Sequence, residues 1–573
     1  MLQTRSLTGA QCLVDCLLQQ EVDQCFLVPG ESYLAVLDAL TDAPQIDITV
    51  CRQEGGAAMM AEAFGKLTGR PGICMVTRGP GATNASAGLH IARQDATPMI
   101  LFVGQVARDM REREAFQEID YRRMFGQVAK WVAEVDSPHR IAEMVSRAFH
   151  VAMSGRPGPV VLALPEDMLV ETTDVIPPKL AVARPAKAAP TDTDVQNTLN
   201  ALVTASNPMI IVGGGAWSES ARQNLQNFAA KWDVPVAASF RCQDFFDNAH
   251  PCYAGDAGIG INPGLAARIS AADVLVLLGT RFSEMESGGY RLVNIPKPAQ
   301  KLIHVYPDPE EIGRVYAPDI GIAAPAAETI AVLNNQAPPV EGSPERRAHV
   351  AHCNADYRAW STLPVGRGKL AMADVMRHLK NVLPDDAIVT NGAGNYTVWL
   401  HRYLKYRQYR TQLAPISGSM GYGLPAAVAA ARAHPGRQVV CFAGDGCFLM
   451  HGQELATAVK YRANLKVIVV NNGMYGTIRM HQERSYPGRV SATDLVNPDF
   501  AMLAKSYGCH GETVTRTEQF AAAWECACDY PGPSLIELQV DPELITPTQT
   551  IEDLRRASPG QQTPQVLREK SNG

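Results

Sequence analysis

Short runs of Val, Ile, Leu and other apolar residues recur along this chain, each ending in Gly, Pro or a polar residue and each followed by a longer stretch of helical periodicity. Cys25–Val28, Ile73–Val76, Met99–Val103 and Val160–Leu164 are apolar at consecutive rather than alternate positions. Such runs predict strands buried on both faces, as in parallel sheets covered by helices. The rhythm returns in Met209–Val212, Val274–Leu278 and Lys301–Val305, and again in Ala387–Val389, Val439–Phe442, Val467–Val470 and Ser534–Leu538. It breaks where Pro, Ala and Lys crowd Thr173–Pro190, over Gln336–Glu345 and around Pro364–Gly368, which read as connections. The expected fold is α/β, with three doubly wound parallel-sheet domains at 1–172, 194–335 and 369–547. Linkers at 173–193 and 336–368 join them, and a tail at 548–573 ends in the polar stretch Gly560–Gly573.

Composition narrows the function classes. A chain of 573 residues is too long for one core. A net charge of −6, without a dense Lys/Arg tract, gives no electrostatic footprint for nucleic acid. The charged stretch Arg108–Arg123 alternates acids with bases and reads as a solvated or interfacial surface. No run approaches the ~18 apolar residues of a membrane span, and Met1–Gln11 lacks a basic segment followed by an apolar one. The expectation is a cytoplasmic protein with neither nucleic acid nor membrane as a partner. Thirteen cysteines without a CxxC pair read as buried reduced thiols.

Chemistry enters at Gly444-Asp445-Gly446, which follows the apolar run Val439–Phe442, and at Asn471-Asn472, which follows Leu465–Val470. The interval from Asp445 to Asn472 is long enough for one helix and a return strand, so both side chains can reach adjacent strand ends. A carboxylate and an amide oxygen there, with room for waters and phosphate oxygens, suit Mg²⁺. The flanking glycines allow backbone N–H groups to approach a phosphate, and a helix expected to start near His451 would place its positive end close by.

This segment, continuing into Gly473-Met474-Tyr475-Gly476, resembles the diphosphate-binding motif of thiamine diphosphate (ThDP)-dependent enzymes. The three-unit order is similar to the pyrimidine-binding, central and diphosphate-binding domains of their acetolactate synthase and pyruvate oxidase branch. The resemblance implies ThDP and Mg²⁺ as cofactors, with Asp445, Asn472 and the Met474 carbonyl as metal ligands. Gly444, Gly446, Cys447, Tyr475 and Gly476 accompany them around the diphosphate. Glu54, in Arg52-Gln53-Glu54-Gly55-Gly56, matches the glutamate that shifts the aminopyrimidine to its imino form. Gly30, and Pro80 and Asn84 within Gly79-Pro80-Gly81-Ala82-Thr83-Asn84, belong to the same half of the site. Met420 matches the apolar support that bends the cofactor, the Gly418 carbonyl an acceptor for its exocyclic amine, and Asn395-Tyr396 a loop that contacts the diphosphate. Because Glu54 and Asp445 lie in different units, the resemblance implies a homodimer sharing its active sites, with pairing into a homotetramer left open.

Phe116-Gln117-Glu118 is similar to the segment near the reactive centre of acetolactate synthases. It points to decarboxylation of a pyruvate-like 2-keto acid through an enamine, then transfer of the acyl unit to a second carbonyl. Three positions depart from that pattern. Glu166 stands where Lys is usual, His481 where Trp is usual, and Glu31 replaces a Gly at the place of an acidic residue in pyruvate-type decarboxylases. Glu31 is therefore expected to orient or protonate the substrate. In the central unit, Gly213-Gly214-Gly215 and Arg281-Phe282 resemble flavin-contacting positions, whereas Tyr306 and Ser283-Glu284 do not, so FAD, ADP or no nucleotide stay open there. A 2-hydroxyacyl-CoA lyase or oxalyl-CoA decarboxylase relative, and a non-catalytic protein retaining the fold, are the competing readings.

Overall fold

A computed structural model describes residues 6–174, 178–338 and 343–557. Among them, three six-stranded sheets form in succession, every strand pairing parallel to its neighbours. The first contains β1 (Gln24–Leu27), β2 (Asp47–Val50), β3 (Gly72–Val76), β4 (Met99–Gln105), β5 (Trp131–Glu134) and β6 (Pro159–Pro165), in the order β2-β1-β3-β4-β6-β5. The central sheet contains β7 (Met209–Val212), β8 (Val236–Ala238), β9 (Tyr253–Asp256), β10 (Val274–Leu278), β11 (Lys301–Tyr306) and β12 (Ile320–Ala323), ordered β9-β8-β7-β10-β11-β12. The third contains β13 (Ile388–Asn391), β14 (Gln412–Leu413), β15 (Val439–Gly444), β16 (Leu465–Asn471), β17 (His510–Val514) and β18 (Ser534–Gln539), ordered β14-β13-β15-β16-β18-β17. The first and third sheets thus share one strand order, and the chain is an α/β protein of three doubly wound domains.

The continuous apolar runs became central strands because helices bury both faces. Several short strands escaped the pattern. His510–Val514 and Ile320–Ala323 are edge strands, and half-exposed positions interrupt their apolar sequence.

The first and third domains pack directly. The helix Glu54–Thr68 opens with Gln53, whose side chain accepts the Gly56 N–H, and closes on Gly69 in the left-handed conformation. Its small residues sit against the alanine-rich helix Gly423–Ala433 in one core that spans both sheets. A Cβ on Gly56 would lie 2.7 Å from Glu454 Oε1, so glycine is what permits this approach.

Two expectations need correction. The segment 336–368, expected as a linker, holds the helix Pro344–Trp360, which Ser343 caps. Arg346 on that helix donates to the carbonyls of Leu202 and Trp232, each at 2.6 Å, and Val350, Cys353 and Tyr357 bury against the central domain. Half of its buried residues are polar, which hid the periodicity, and Pro344 occupies a first turn where proline is tolerated. The helix expected near His451 begins instead at Asp445, as the short turn Asp445–Phe448. Leu455–Lys460 follows after a single 3₁₀ turn. The polar stretch Gly560–Gly573 lies outside the described residues, but the start of the 548–573 tail contains the helix Ile551–Ala557.

Candidate active site

Open parallel sheets build their sites beyond the carboxyl ends of strands. Here β15 and β16 are neighbours, with Gly444 opposite Val470 in register, so Asp445 and Asn472 emerge side by side. Asp445 is 3% exposed. Its Oδ1 accepts the Gly446 N–H at 2.9 Å, and its Oδ2 accepts the Gly473 N–H at 2.9 Å and Asn497 Nδ2 at 2.8 Å. Burial pushes the Asp445 carboxyl above its ordinary range, while these donors pull the other way. A cation held against the carboxylate would offset the cost of burying its charge. Asn472 Oδ1 accepts the Met474 N–H at 3.3 Å, and a bridge from Met474 to Asp494 pins the turn.

A cavity of about 280 Å³ opens on this edge. Asn395, Tyr396, Gly418, Met420, Gly444, Asp445, Gly446, Cys447, Asn472, Met474, Tyr475 and Gly476 all line it. Gly418, at φ +68°, borders open space, since a Cβ there would meet nothing within 4 Å. Cys447 Sγ accepts the Gly421 N–H at 3.2 Å and lies 3.3 Å from the Tyr396 hydroxyl, so these two side chains frame the cavity from the core. The Asn395 amide donates to the Ile545 carbonyl at 3.0 Å and accepts from Thr477 at 2.9 Å. Its side chain thus ties the C-terminal segment to the helix Gly476–Ser485.

Among the described residues, no cluster of three or more His, Cys, Asp or Glu forms a metal site. A single buried carboxylate, an amide oxygen and a backbone carbonyl are nevertheless a fitting set for Mg²⁺, which takes hard oxygen ligands and commonly completes its shell with phosphate and water.

A second group assembles at the carboxyl edge of the first sheet. Glu54 Oε2 accepts Asn84 Nδ2 at 2.9 Å. A Cβ on Gly81 would lie 3.4 Å from Glu54 Oε1 and 2.9 Å from Thr77, and one on Gly30 would lie 2.5 Å from Thr77. Pro80 stands in the first turn of the helix Gly79–Asp95. Gly79, at φ +30°, faces the Gln117 carbonyl, only 2.8 Å from where its Cβ would be. Phe116 beside it is 75% exposed, and Glu31 is exposed in the turn Glu31–Tyr33 after β1. Gly30, Glu31, Glu54, Pro80, Asn84, Phe116 and Gln117 do not line the Asp445 cavity. One chain therefore carries these residues as two separate groups.

Three features of these two groups had no readable signal. Asn497 sits in a loop without periodicity, yet it braces both Asp445 and Asn471, at 2.8 and 2.9 Å. Glu454, wholly buried, accepts the N–H groups of Arg52 and Gln53 at 3.0 and 3.1 Å, just ahead of Glu54. Arg78 pairs with Glu166 at 3.2 Å. His481, the other departing position, is exposed on the helix Gly476–Ser485.

The glycine triplet of the central domain is taken up by packing. A Cβ on Gly213 would lie 2.6 Å from Ser239 Oγ, one on Gly214 1.8 Å from the Gly279 carbonyl, and one on Gly215 2.9 Å from the Ala96 carbonyl. Arg281 donates to the Gln94 carbonyl at 2.7 Å, and Arg156 is paired with Glu311 at 2.8 Å. Gly214 and Gly215 nonetheless line one cavity, and Arg156 and Arg281 line another.

A buried aspartate flanked by glycines at the strand ends of one sheet, and a glutamate at the strand ends of a second, identically ordered one, fit the ThDP-binding class of α/β enzymes. Three profiles agree: the N-terminal TPP binding domain of thiamine pyrophosphate enzymes matches residues 7–124, their central domain 195–333, and their C-terminal TPP binding domain 392–538. The chain belongs to the thiamine pyrophosphate enzyme family. It is 31% identical to the acetolactate synthase large subunit of Parasynechococcus marenigrum, over 94% of this chain and 88% of that one. It is also 31% identical to the acetolactate synthase isozyme 2 large subunit of Escherichia coli, over 93% and 96%, and 33% identical to the acetolactate synthase of Mycobacterium bovis, over 90% and 85%.

Proposed function

We propose that the protein is a ThDP- and Mg²⁺-dependent carboligase that decarboxylates a pyruvate-like 2-keto acid and joins the remaining acyl unit to a second carbonyl compound. The similarity to acetolactate synthases over nearly the whole chain supports this reading. So does the Asp445 cavity, which gathers the expected diphosphate-side residues.

When bound, ThDP supplies a nucleophilic carbon and an electron sink for the decarboxylation. The chain's part is placement and proton control. Asp445, Asn472 and the Met474 carbonyl would hold Mg²⁺, and Met420 and the Gly418 carbonyl would orient the cofactor's aminopyrimidine. Glu54, its carboxylate fixed by Asn84, would exchange a proton with the bound cofactor. Phe116 and Gln117 border the reacting atoms, and Glu31 orients the substrate. Since Glu54 lies outside the Asp445 cavity, a complete site joins Glu54 of one chain to Asp445 of a second copy, in a homodimer or a pair of homodimers.

The test is incubation of pure protein with ThDP and Mg²⁺ against a panel of 2-keto acids and acyl-CoA thioesters, with CO₂ and products followed by mass spectrometry. CO₂ release together with a 2-hydroxy ketone or 2-hydroxy-2-acyl acid is expected. Turnover of acyl-CoA substrates alone, or of nothing, would overturn the reading.

A further inference from the structure

The ion pair between Arg78 and Glu166 carries an inference about what the site accepts. Arg78 follows β3 directly and precedes Gly79, whose N–H donates to Tyr121 Oη at 3.1 Å and whose backbone is pressed by Gln117. Glu166 follows β6, two strands along the same sheet. The pair therefore spans the carboxyl edge on which Glu31 and Glu54 stand. Arg78 is nine-tenths buried, and among the described residues its one ion pair is the contact from Nη1 to Glu166 Oε2 at 3.2 Å. Its buried Nε has no acceptor among the described residues. The neighbouring acid, Asp167, offers no second counter-charge, because Arg108 Nε holds it at 2.7 Å. The guanidinium is thus fixed in position but only half used, on an edge otherwise supplied with carboxylates.

A guanidinium presents a rigid fork that matches a carboxylate bidentately. We propose that Arg78 is a specificity-determining residue that docks the carboxylate of the acceptor 2-keto acid, while Glu166 holds the guanidinium until that carboxylate takes its place. The inference rests on the carboligase reading above.

The chemistry favours the acceptor over the donor. The donor's carboxylate leaves as CO₂, so a strong ion pair to it would stabilise the ground state, vanish in the transition state and slow the reaction. The acceptor's carboxylate survives into the product, and its ion pair persists through carbon–carbon bond formation. An acceptor anion on this edge also has the carboxylates of Glu31 and Glu54 to contend with. The acceptor class that follows is a second 2-keto acid rather than a neutral aldehyde.

A competition assay separates the possibilities. Enzyme loaded with ThDP and Mg²⁺ receives one 2-keto acid as donor, with a second 2-keto acid and a neutral aldehyde as competing acceptors, and the two ligation products are quantified. In R78Q the product ratio should move toward the aldehyde by about 10- to 100-fold, the scale of one lost charge-assisted contact. E166Q, which removes the internal competitor, should lower the KM for the keto acid acceptor. A purely structural pair would instead make both variants lose both products together. A binding measurement needs no turnover: oxamate should raise the melting midpoint of the wild type more than that of R78Q.

If R78Q does not fold, R78K keeps the charge without the fork and should still shift the ratio, by less. An unchanged ratio in whichever variant folds, or parallel loss of both products, would overturn the inference. A wild type that forms neither product would overturn the carboligase reading itself, and a wild type that ligates while the ratio stays fixed overturns only the role of Arg78.

Discussion

Glu454 Oε1, in the third domain, accepts the backbone N–H of Gln53, in the first, at 3.1 Å, and the same carboxylate takes the Arg52 N–H and the Thr457 hydroxyl. The loop that presents Glu54 is therefore held by a buried acid some four hundred positions further along the chain. Burial pushes the Glu454 carboxyl above its usual range, while its donors restrain the rise. Removing it by E454A would leave two backbone donors in a dry contact. Amide exchange over residues 50–56 should quicken by about 10- to 100-fold, the effect of about 1.4–2.8 kcal/mol of lost local stability. Unaltered exchange would remove Glu454 from any role in fixing the loop.

The same residue makes a pH prediction whose sign follows from linkage. Its folded pKa is raised above the unfolded value near 4.5, so the folded state binds the proton more tightly. Its contribution is present at acid pH and is lost as pH rises from the ordinary glutamate range through the elevated folded value. E454Q cannot titrate and should flatten that part of the stability profile, read by denaturant unfolding at stepped pH. A slope identical to the wild type's would contradict the assignment.

Asn497 holds two residues of the candidate metal edge. Its Nδ2 bridges Asp445 Oδ2 and Asn471 Oδ1. Groups that orient a metal ligand commonly account for about 10- to 100-fold of metal affinity. N497A should therefore raise the Mg²⁺ concentration for half-maximal activation by that order, with a smaller change in kcat at saturating metal. A Mg²⁺ titration of activity, backed by direct calorimetry with ThDP present, checks the expectation.

Glu54 is the residue on which the reaction reading depends most. With Asn84 donating to its Oε2 at 2.9 Å, E54Q preserves size and much of the polar contact but removes the proton acceptor. A loss of about 10²- to 10⁴-fold in kcat is expected, with ThDP binding followed by fluorescence quenching largely kept. An equal fall in binding would mean that the carboxylate anchors the cofactor rather than moving its proton.

The sequence was legible where chemistry and periodicity are local. Continuous apolar runs such as Val439–Phe442 announce buried parallel strands, and the Gly-Asp-Gly to Asn-Asn interval alone suffices to bring Asp445 and Asn472 to neighbouring strand ends. What stayed hidden depends on partners far apart in the chain. Nothing around Glu454 marks it as the acceptor for Gln53, and Asn497 lies in a loop whose only order comes from the groups it touches. The helix Pro344–Trp360 was masked because it buries Arg346, His349 and Asn354 alongside Val350 and Tyr357. Polar side chains that donate to distant carbonyls read as surface until those carbonyls are known. The glycines Gly213–Gly215 of the central domain also permit close approaches to partners far off in the chain, such as Ser239 and Gly279.

The C-terminal segment closes one wall of the Asp445 cavity through Leu544, Ile545, Thr546 and Pro547, and its anchorage is electrostatic. Arg555, on the helix Ile551–Ala557, donates to both oxygens of Glu483 at 2.8 and 2.7 Å, and Arg479 joins at 2.9 Å. The Glu483 side chain is 1% exposed, and the Arg555 contact together with the Gly488 N–H and Arg479 holds its pKa down at about 2. A depressed folded pKa means that the stabilisation is present above the unfolded value near 4.5 and is lost as pH falls toward 2. Removing Arg555 would deprive a buried carboxylate of its bidentate partner. R555A should therefore loosen the segment at neutral pH, where the wild type holds it. Limited proteolysis near residues 541–557 should speed up by at least about tenfold, given the energy of a bidentate charge-assisted pair. In the wild type the same acceleration should appear only on acidification below the ordinary glutamate range, and E483Q should abolish that pH dependence. Proteolysis of R555A at the wild-type rate would show that Ile551 and Leu554, which pack against Met474, hold the segment without the ion pair.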